Sequence, residues 1–126
     1  GKLTDGQIIV DTEDKEAVKL ILNGADITCS NSAPIYVKKA KKTVITLKEG
    51  TKNTLTDGTN YVFENKESEE PNAALFSKSN LSINGSGFLT VHANYNDGIA
   101  SKDELKIVSG NITVKAKSYA VKEGRA

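Results

Sequence analysis

Ala74-Leu75-Phe76-Ser77-Lys78 and Gly98-Ile99-Ala100-Ser101-Lys102 align in apolar, polar and lysine character, 24 residues apart. Both runs continue in the same way. Each leads into a second short apolar-alternating stretch, Leu81-Ser82-Ile83 and Leu105-Lys106-Ile107. Each then meets glycine, at Gly85 and Gly87 or at Gly110, and resumes as Leu89-Thr90-Val91 or Ile112-Thr113-Val114. A repeat period in the range of about 20–50 residues is the mark of a solenoid.

The pattern extends in both directions. Upstream, Ala33-Pro34-Ile35-Tyr36-Val37 leads to Val44-Ile45-Thr46-Leu47 and Gly50. Earlier still, Ile8-Ile9-Val10 leads to Val18-Lys19-Leu20-Ile21-Leu22, Asn23-Gly24 and Ile27-Thr28. Three short strands per unit, with Gly and Asn between them, fit a triangular coil whose alternate side chains point inward. Glycine and asparagine supply the positive φ that tight corners require.

A β-sandwich also has short, regularly spaced strands. It gives no reason for strands to recur as matching triplets, so the register favours an all-β solenoid. The units are expected over 8–32, 33–72, 73–97 and 98–119, with a partial unit from 120, all in one domain over 1–126. An insertion over 51–72 interrupts the second unit and carries Asp57, Glu64, Glu67, Glu69 and Glu70. Long loops in compact folds are usually functional or mobile. The charged segment from Asp11 to Ala17 reads as a loop.

Composition narrows the function classes. Seventeen basic and sixteen acidic side chains leave a net charge of +1, which argues against a dedicated nucleic-acid binder. The 26% charged content describes a soluble protein, and the regular apolar groups argue against disorder. Cys29 is the only cysteine, which excludes an intrachain disulfide and a cysteine-rich zinc site. No apolar run approaches a membrane span. The chain starts at Gly1 rather than Met, so a processed or engineered start is expected, and the lack of a signal peptide says nothing about secretion.

Four motifs occur together in order: Asn23-Gly24-Ala25-Asp26-Ile27-Thr28, Asn53-Thr54-Leu55-Thr56-Asp57-Gly58, Glu70-Pro71-Asn72-Ala73-Ala74-Leu75-Phe76-Ser77-Lys78, and Asn94-Tyr95-Asn96-Asp97-Gly98-Ile99-Ala100-Ser101-Lys102-Asp103. In that order they resemble a family of bacterial, largely clostridial, carbohydrate-binding domain proteins, over about Thr4 to Lys117. The resemblance implies a right-handed parallel β-helix of about four coils in this chain and calcium at the coil corners. It also implies binding of polygalacturonate or pectin-like polymers outside the cell or at its surface. The fold resembles that of pectate lyases. Family members usually continue into further coils where Ala120-Val121-Lys122-Glu123-Gly124-Arg125-Ala126 stands here, so a fragment of a longer helix is expected.

Calcium takes about six to eight oxygen ligands, and corners where Asp and Asn stack can offer several at once. The candidates are Asn94, Asn96, Asp97 and Asp103, with Asn72 stacked one coil before Asn96; Asp57, Glu70 and Asp26 are weaker. The alternative is that Asn72 and Asn96 form a structural asparagine ladder and that Asp97-Gly98 is a plain turn. Family members often carry Asp after the serine-lysine pair. Ser79 and Asn80 follow Lys78 here, Lys41 replaces the acid one coil earlier, and Asp103 alone keeps the carboxylate.

Lys78 and Lys102 stack at equivalent positions, where ammonium groups suit the regularly spaced carboxylates of a polyuronate. Lys38, Lys39, Lys41 and Lys42 read as a solvated face that blunts strand edges. Tyr95 is the candidate sugar-stacking platform, while Phe76 and Phe88 read as core. His92 lies between Val91 and Ala93 and needs no special role, and Cys29 reads as a small inward-facing residue.

No catalytic residue is expected. A calcium-assisted lyase needs a base near the metal, and the only arginine is Arg125. The competing readings are a pectate-lyase-like enzyme using Lys78 or Lys102, and a structural or adhesive surface repeat that self-associates through exposed end coils.

Overall fold

The computed structural model describes residues 1–124, which contain fourteen strands and no helix. A short strand β1 (Lys2–Leu3) comes first. Four triplets follow: β2 (Ile8–Asp11), β3 (Val18–Leu22) and β4 (Asp26–Cys29); β5 (Ile35–Lys39), β6 (Lys42–Leu47) and β7 (Lys52–Asp57); β8 (Ala73–Ser77), β9 (Asn80–Gly85) and β10 (Phe88–Ala93); β11 (Asp97–Ser101), β12 (Leu105–Ile107) and β13 (Asn111–Ala116). Strand β14 (Val121–Glu123) opens a fifth.

Every third strand pairs, always in parallel. The three sheets run β1-β4-β7-β10-β13, β2-β5-β8-β11-β14 and β3-β6-β9-β12. Each triplet therefore lies on the triplet before it. The 24-residue period is visible in the register: Leu75 pairs with Ile99, Ser77 with Ser101, Leu81 with Leu105 and Ile83 with Ile107.

Alternation places the core. Ile27, Leu55, Val91 and Val114 form one inward column in the first sheet, and Ile35, Leu75 and Ile99 form another in the second. Full burial of each such side chain contributes about 1.5–3 kcal/mol. Asn53 is buried on the inward face with its polar atoms satisfied: Oδ1 accepts from Ala25 N at 2.7 Å and Nδ2 donates to Phe88 O at 3.1 Å. It thus ties together three successive turns of the chain.

Three expectations change. The insertion is shorter than 51–72, because Lys52–Asp57 pairs with both β4 and β10 as strand β7; the extra residues are 58–72. Phe88 is 49% exposed, not core, because Leu89, Val91 and Ala93 take the inward positions of β10 and leave Phe88 on the outer face. Asp97 also opens the fourth triplet rather than closing the third, since it pairs with Ala73 at the start of β8. Cys29 is buried, as an inward-facing residue should be.

The central strands β8 and β11 of the second sheet are buried on both faces. Ala33, Tyr36, Ala73, Phe76 and Ala100 form a separate outer cluster, with Tyr36 and Phe76 edge to face at 5.8 Å. The 58–72 loop reaches this side of the sheet. Val62 N donates to Asn31 O at 2.9 Å, and glutamates of the loop pair with lysines at the sheet's margin.

Candidate functional site

The strand ends of the second sheet carry the site. After β8 and β11 the chain makes the same serine turn twice: Ser77 Oγ accepts from Ser79 N at 3.1 Å, and Ser101 Oγ accepts from Asp103 N at 3.2 Å. Such local side-chain bonds turn the backbone. Both serines point inward and are buried, so the intervening Lys78 and Lys102 face solvent.

A third lysine joins them. Lys78 N donates to Val37 O just as Lys102 N donates to Ser77 O one turn later. Lys38, which follows Val37, therefore occupies the same place one turn earlier. Lys38, Lys78 and Lys102 form a column, with successive members separated by the strand spacing of about 4.8 Å. Sequence reading found the last two by their 24-residue offset. It left Lys38 in the solvated face, because the 58–72 loop stretches its offset to Lys78 to 40 residues. Lys39 leaves the column and pairs with Glu13 at 2.6 Å.

The loop supplies carboxylates to this column. Glu70 Oε2 lies 2.6 Å from Lys102 Nζ, and Oε1 lies 3.5 Å from Lys78 Nζ. Glu64 pairs with Lys38 at 2.9 Å. A cleft of about 300 Å³ opens beside Lys102, lined also by Ser68, Glu69, Glu70, Phe76 and Lys122. It adjoins a hollow of about 330 Å³ lined by Glu69, Asn72, Tyr95 and Asn96.

Tyr95 lines that hollow. Its ring stacks on Tyr61 at 4.3 Å, and Phe63 meets it edge-on at 6.1 Å. The Tyr61 hydroxyl donates to Asp57 Oδ2, while Asn94 N donates to Oδ1 at 2.5 Å. Burial pushes the Asp57 carboxyl above its ordinary range, against the hydrogen bonds from Tyr61 and Asn94 that pull it down. Burial and the neighbouring carboxylate both push the Tyr61 phenol up, so it stays a donor. The sequence alone does not mark Tyr61 and Phe63 as functional, because their role depends on where the loop docks.

Several of the expected calcium ligands are engaged by protein partners. Asp57 gives both carboxylate oxygens to protein donors, and Glu70 gives both of its oxygens to lysines. Asp97 Oδ1 accepts from Tyr119 N at 3.1 Å, and Asn94 Nδ2 donates to Asp57 O at 2.8 Å. Asn72 and Asn96 do stack on neighbouring turns, next to the Ala73–Asp97 pair, and both line the hollow. Asp103 follows Lys102 at the other end of its strand, and Asp26 lies in β4. Among the described residues, no three Asp, Glu, His or Cys side chains come together as a metal site. Calcium takes about six to eight oxygens, and the carboxylate oxygens of Asp57 and Glu70 already have protein partners.

Residues 1–125 match the family of carbohydrate-binding domain-containing proteins. The chain belongs to this family. It is 47% identical over 116 residues to a carbohydrate-binding domain-containing protein of Acetivibrio thermocellus, a match that covers 92% of this chain and 41% of that one. Among solved structures it is similar to the polysaccharide lyase-like protein from C. thermocellum, studied as a gadolinium derivative. The TM-score is 0.89 at 47% identity, over 92% of this chain and 47% of the other. The chain thus spans less than half the length of both relatives.

The family's description speaks of carbohydrate binding and specifies no particular carbohydrate. No helix among the described residues is long and apolar enough to cross a membrane. Arg125, the one arginine weighed as a lyase base, lies outside the described residues.

Proposed function

We propose that this chain is a non-catalytic module, a right-handed parallel β-helix, that binds polygalacturonate-like acidic polysaccharide outside the cell. The observation that carries the proposal is the column of Lys38, Lys78 and Lys102 at one margin of a parallel sheet. A polyuronate presents carboxylates at a regular sugar spacing, and a row of ammonium groups one strand apart presents complementary charge to it. Charge-assisted hydrogen bonds of this kind are stronger than neutral ones. They also weaken with salt where the partners are exposed.

The remaining features suit the same ligand. The cleft beside Lys102 leads past Asn72 and Asn96 to Tyr95, so charge, amide and aromatic contacts lie along one path. Tyr95 is a platform of limited area, because Tyr61 occupies one face of its ring. Calcium enters the proposal as an ion held jointly with the polymer's own carboxylates.

The polysaccharide lyase-like relative keeps an elimination reaction as the second reading. Against it, Lys78 and Lys102 are both ion-paired with Glu70, an arrangement that uses them as cations rather than bases.

One titration separates the readings. Purified protein is titrated with polygalacturonate in calcium and in chelator while absorbance of unsaturated product is followed. Saturable, salt-sensitive and calcium-sensitive binding with flat absorbance is expected. Rising absorbance would establish the lyase reading instead, and no binding in either condition would reject the acidic ligand.

A further inference from the structure

We infer that Glu70 holds a resident carboxylate in the polymer's binding place and makes the lysine column selective for densely charged polymers. The inference rests on the binding reading above and adds to it which acidic polymers are accepted.

Glu70 sits between two lysines of successive turns, one carboxylate oxygen toward each, at 2.6 Å from Lys102 and 3.5 Å from Lys78. That is the position a uronate carboxylate would take on the column. The Glu70 side chain is only 12% exposed, whereas those of Lys78 and Lys102 are 42% and 58% exposed. The competitor is therefore built in, and the lysines stay within reach of a polymer that displaces it. Lys38 repeats the arrangement with Glu64, so one loop supplies carboxylates to all three lysines.

A tethered group competes at a high effective concentration, on the order of millimolar for a short flexible link. An isolated sugar carboxylate must displace Glu70 alone. A polymer with contiguous carboxylates engages several lysines at once and spreads the cost of displacement over all of them. Glu70 thereby penalises sparse charge more than dense charge. If Glu70 instead only relieves repulsion between the stacked lysines, its removal would loosen the column and weaken binding.

Glu70→Gln separates these two roles. Binding of wild type and variant is measured by calorimetry at low salt against fully de-esterified polygalacturonate and against a partly methyl-esterified polymer. The variant is expected to bind the esterified polymer roughly three- to tenfold more tightly, with a smaller gain on the de-esterified one. Glu49→Gln, which removes the same charge at the turn after β6, is expected to leave that ratio unchanged. Should Glu70→Gln fold poorly, Glu64→Gln relieves Lys38 at an exposed carboxylate and is expected to shift selectivity the same way, by less.

Unchanged or weaker binding of a folded Glu70→Gln protein to the esterified polymer would overturn the inference and leave the binding site standing. Binding by Glu70→Gln but not by wild type would support it in its strongest form. If neither protein binds either polymer, the site reading falls and the inference falls with it.

Discussion

The Tyr61 ring lies 4.3 Å from that of Tyr95, nearly parallel at 19°, while the Tyr61 hydroxyl donates to the buried carboxylate of Asp57. One side chain thus joins the 58–72 loop to the end of β7 and to the corner before β11. Because Glu64 and Glu70 belong to the same loop, this contact also sets where their carboxylates fall on the lysine column. Removing only the hydroxyl, in Tyr61→Phe, leaves the stacking in place and deprives Asp57 of a donor. Loss of about 1–3 kcal/mol is expected in urea unfolding. A stability equal to wild type would mean that the hydroxyl does not hold the loop.

Asp57 gives the fold a pH dependence of definite sign. Its carboxyl is raised from 3.8 by burial, so the folded chain holds this proton more tightly than the unfolded chain. The associated stability is fully present below the unfolded value and is lost as pH rises through the raised folded value. Asp57→Asn cannot titrate. The stability of wild type relative to that variant is therefore expected to fall as pH rises from below 3.8. A difference that grows with pH would show that the hydrogen bonds from Tyr61 and Asn94 outweigh burial.

Two glycines with positive φ should respond differently to alanine. Gly24, at φ 78°, has open space around a would-be Cβ, so Gly24→Ala carries only the left-handed backbone cost, about 1–2 kcal/mol. Gly85, at φ 97°, would place that atom 2.2 Å from Leu47 O on the adjacent turn. Gly85→Ala must also push two turns apart, and a larger loss, above about 3 kcal/mol, is expected. Thermal melts of the two variants give the comparison; equal losses would contradict the close stacking of β6 on β9.

Leu55 and Phe88 test the inward and outward faces of the first sheet. Leu55 is fully buried in the core, and Leu55→Ala is expected to cost about 2–5 kcal/mol. Phe88 is half exposed on the outer face, and Phe88→Ala is expected to cost clearly less. Chemical denaturation of both proteins checks the order.

Much of this architecture was legible because a strand-upon-strand repeat writes its register into the sequence. Ser77-Lys78 and Ser101-Lys102 fall 24 residues apart, and in space they are neighbours. Legibility ended where the spacing broke. Thr54-Leu55-Thr56 had the inward-outward alternation of a strand, yet the loop that follows made it read as part of the insertion. Phe88 could have been placed correctly, since Leu89, Val91 and Ala93 already fill the inward positions of its strand. The pairing of Glu70 with two lysines had no such signal, because it depends on how a fifteen-residue loop, 58–72, returns to the sheet. The same holds for the metal candidates: the sequence offers Asp57, Glu70 and Asp97 as oxygen donors, and tertiary contacts give each of them a protein partner.

Whether the lysine column reads an acidic polymer is decided by calorimetry of the Lys38→Gln/Lys78→Gln/Lys102→Gln protein against de-esterified polygalacturonate. A folded protein is expected whose affinity falls at least about tenfold and whose residual binding no longer depends on salt. Affinity within about twofold of wild type, with the salt dependence retained, would contradict that role of the column.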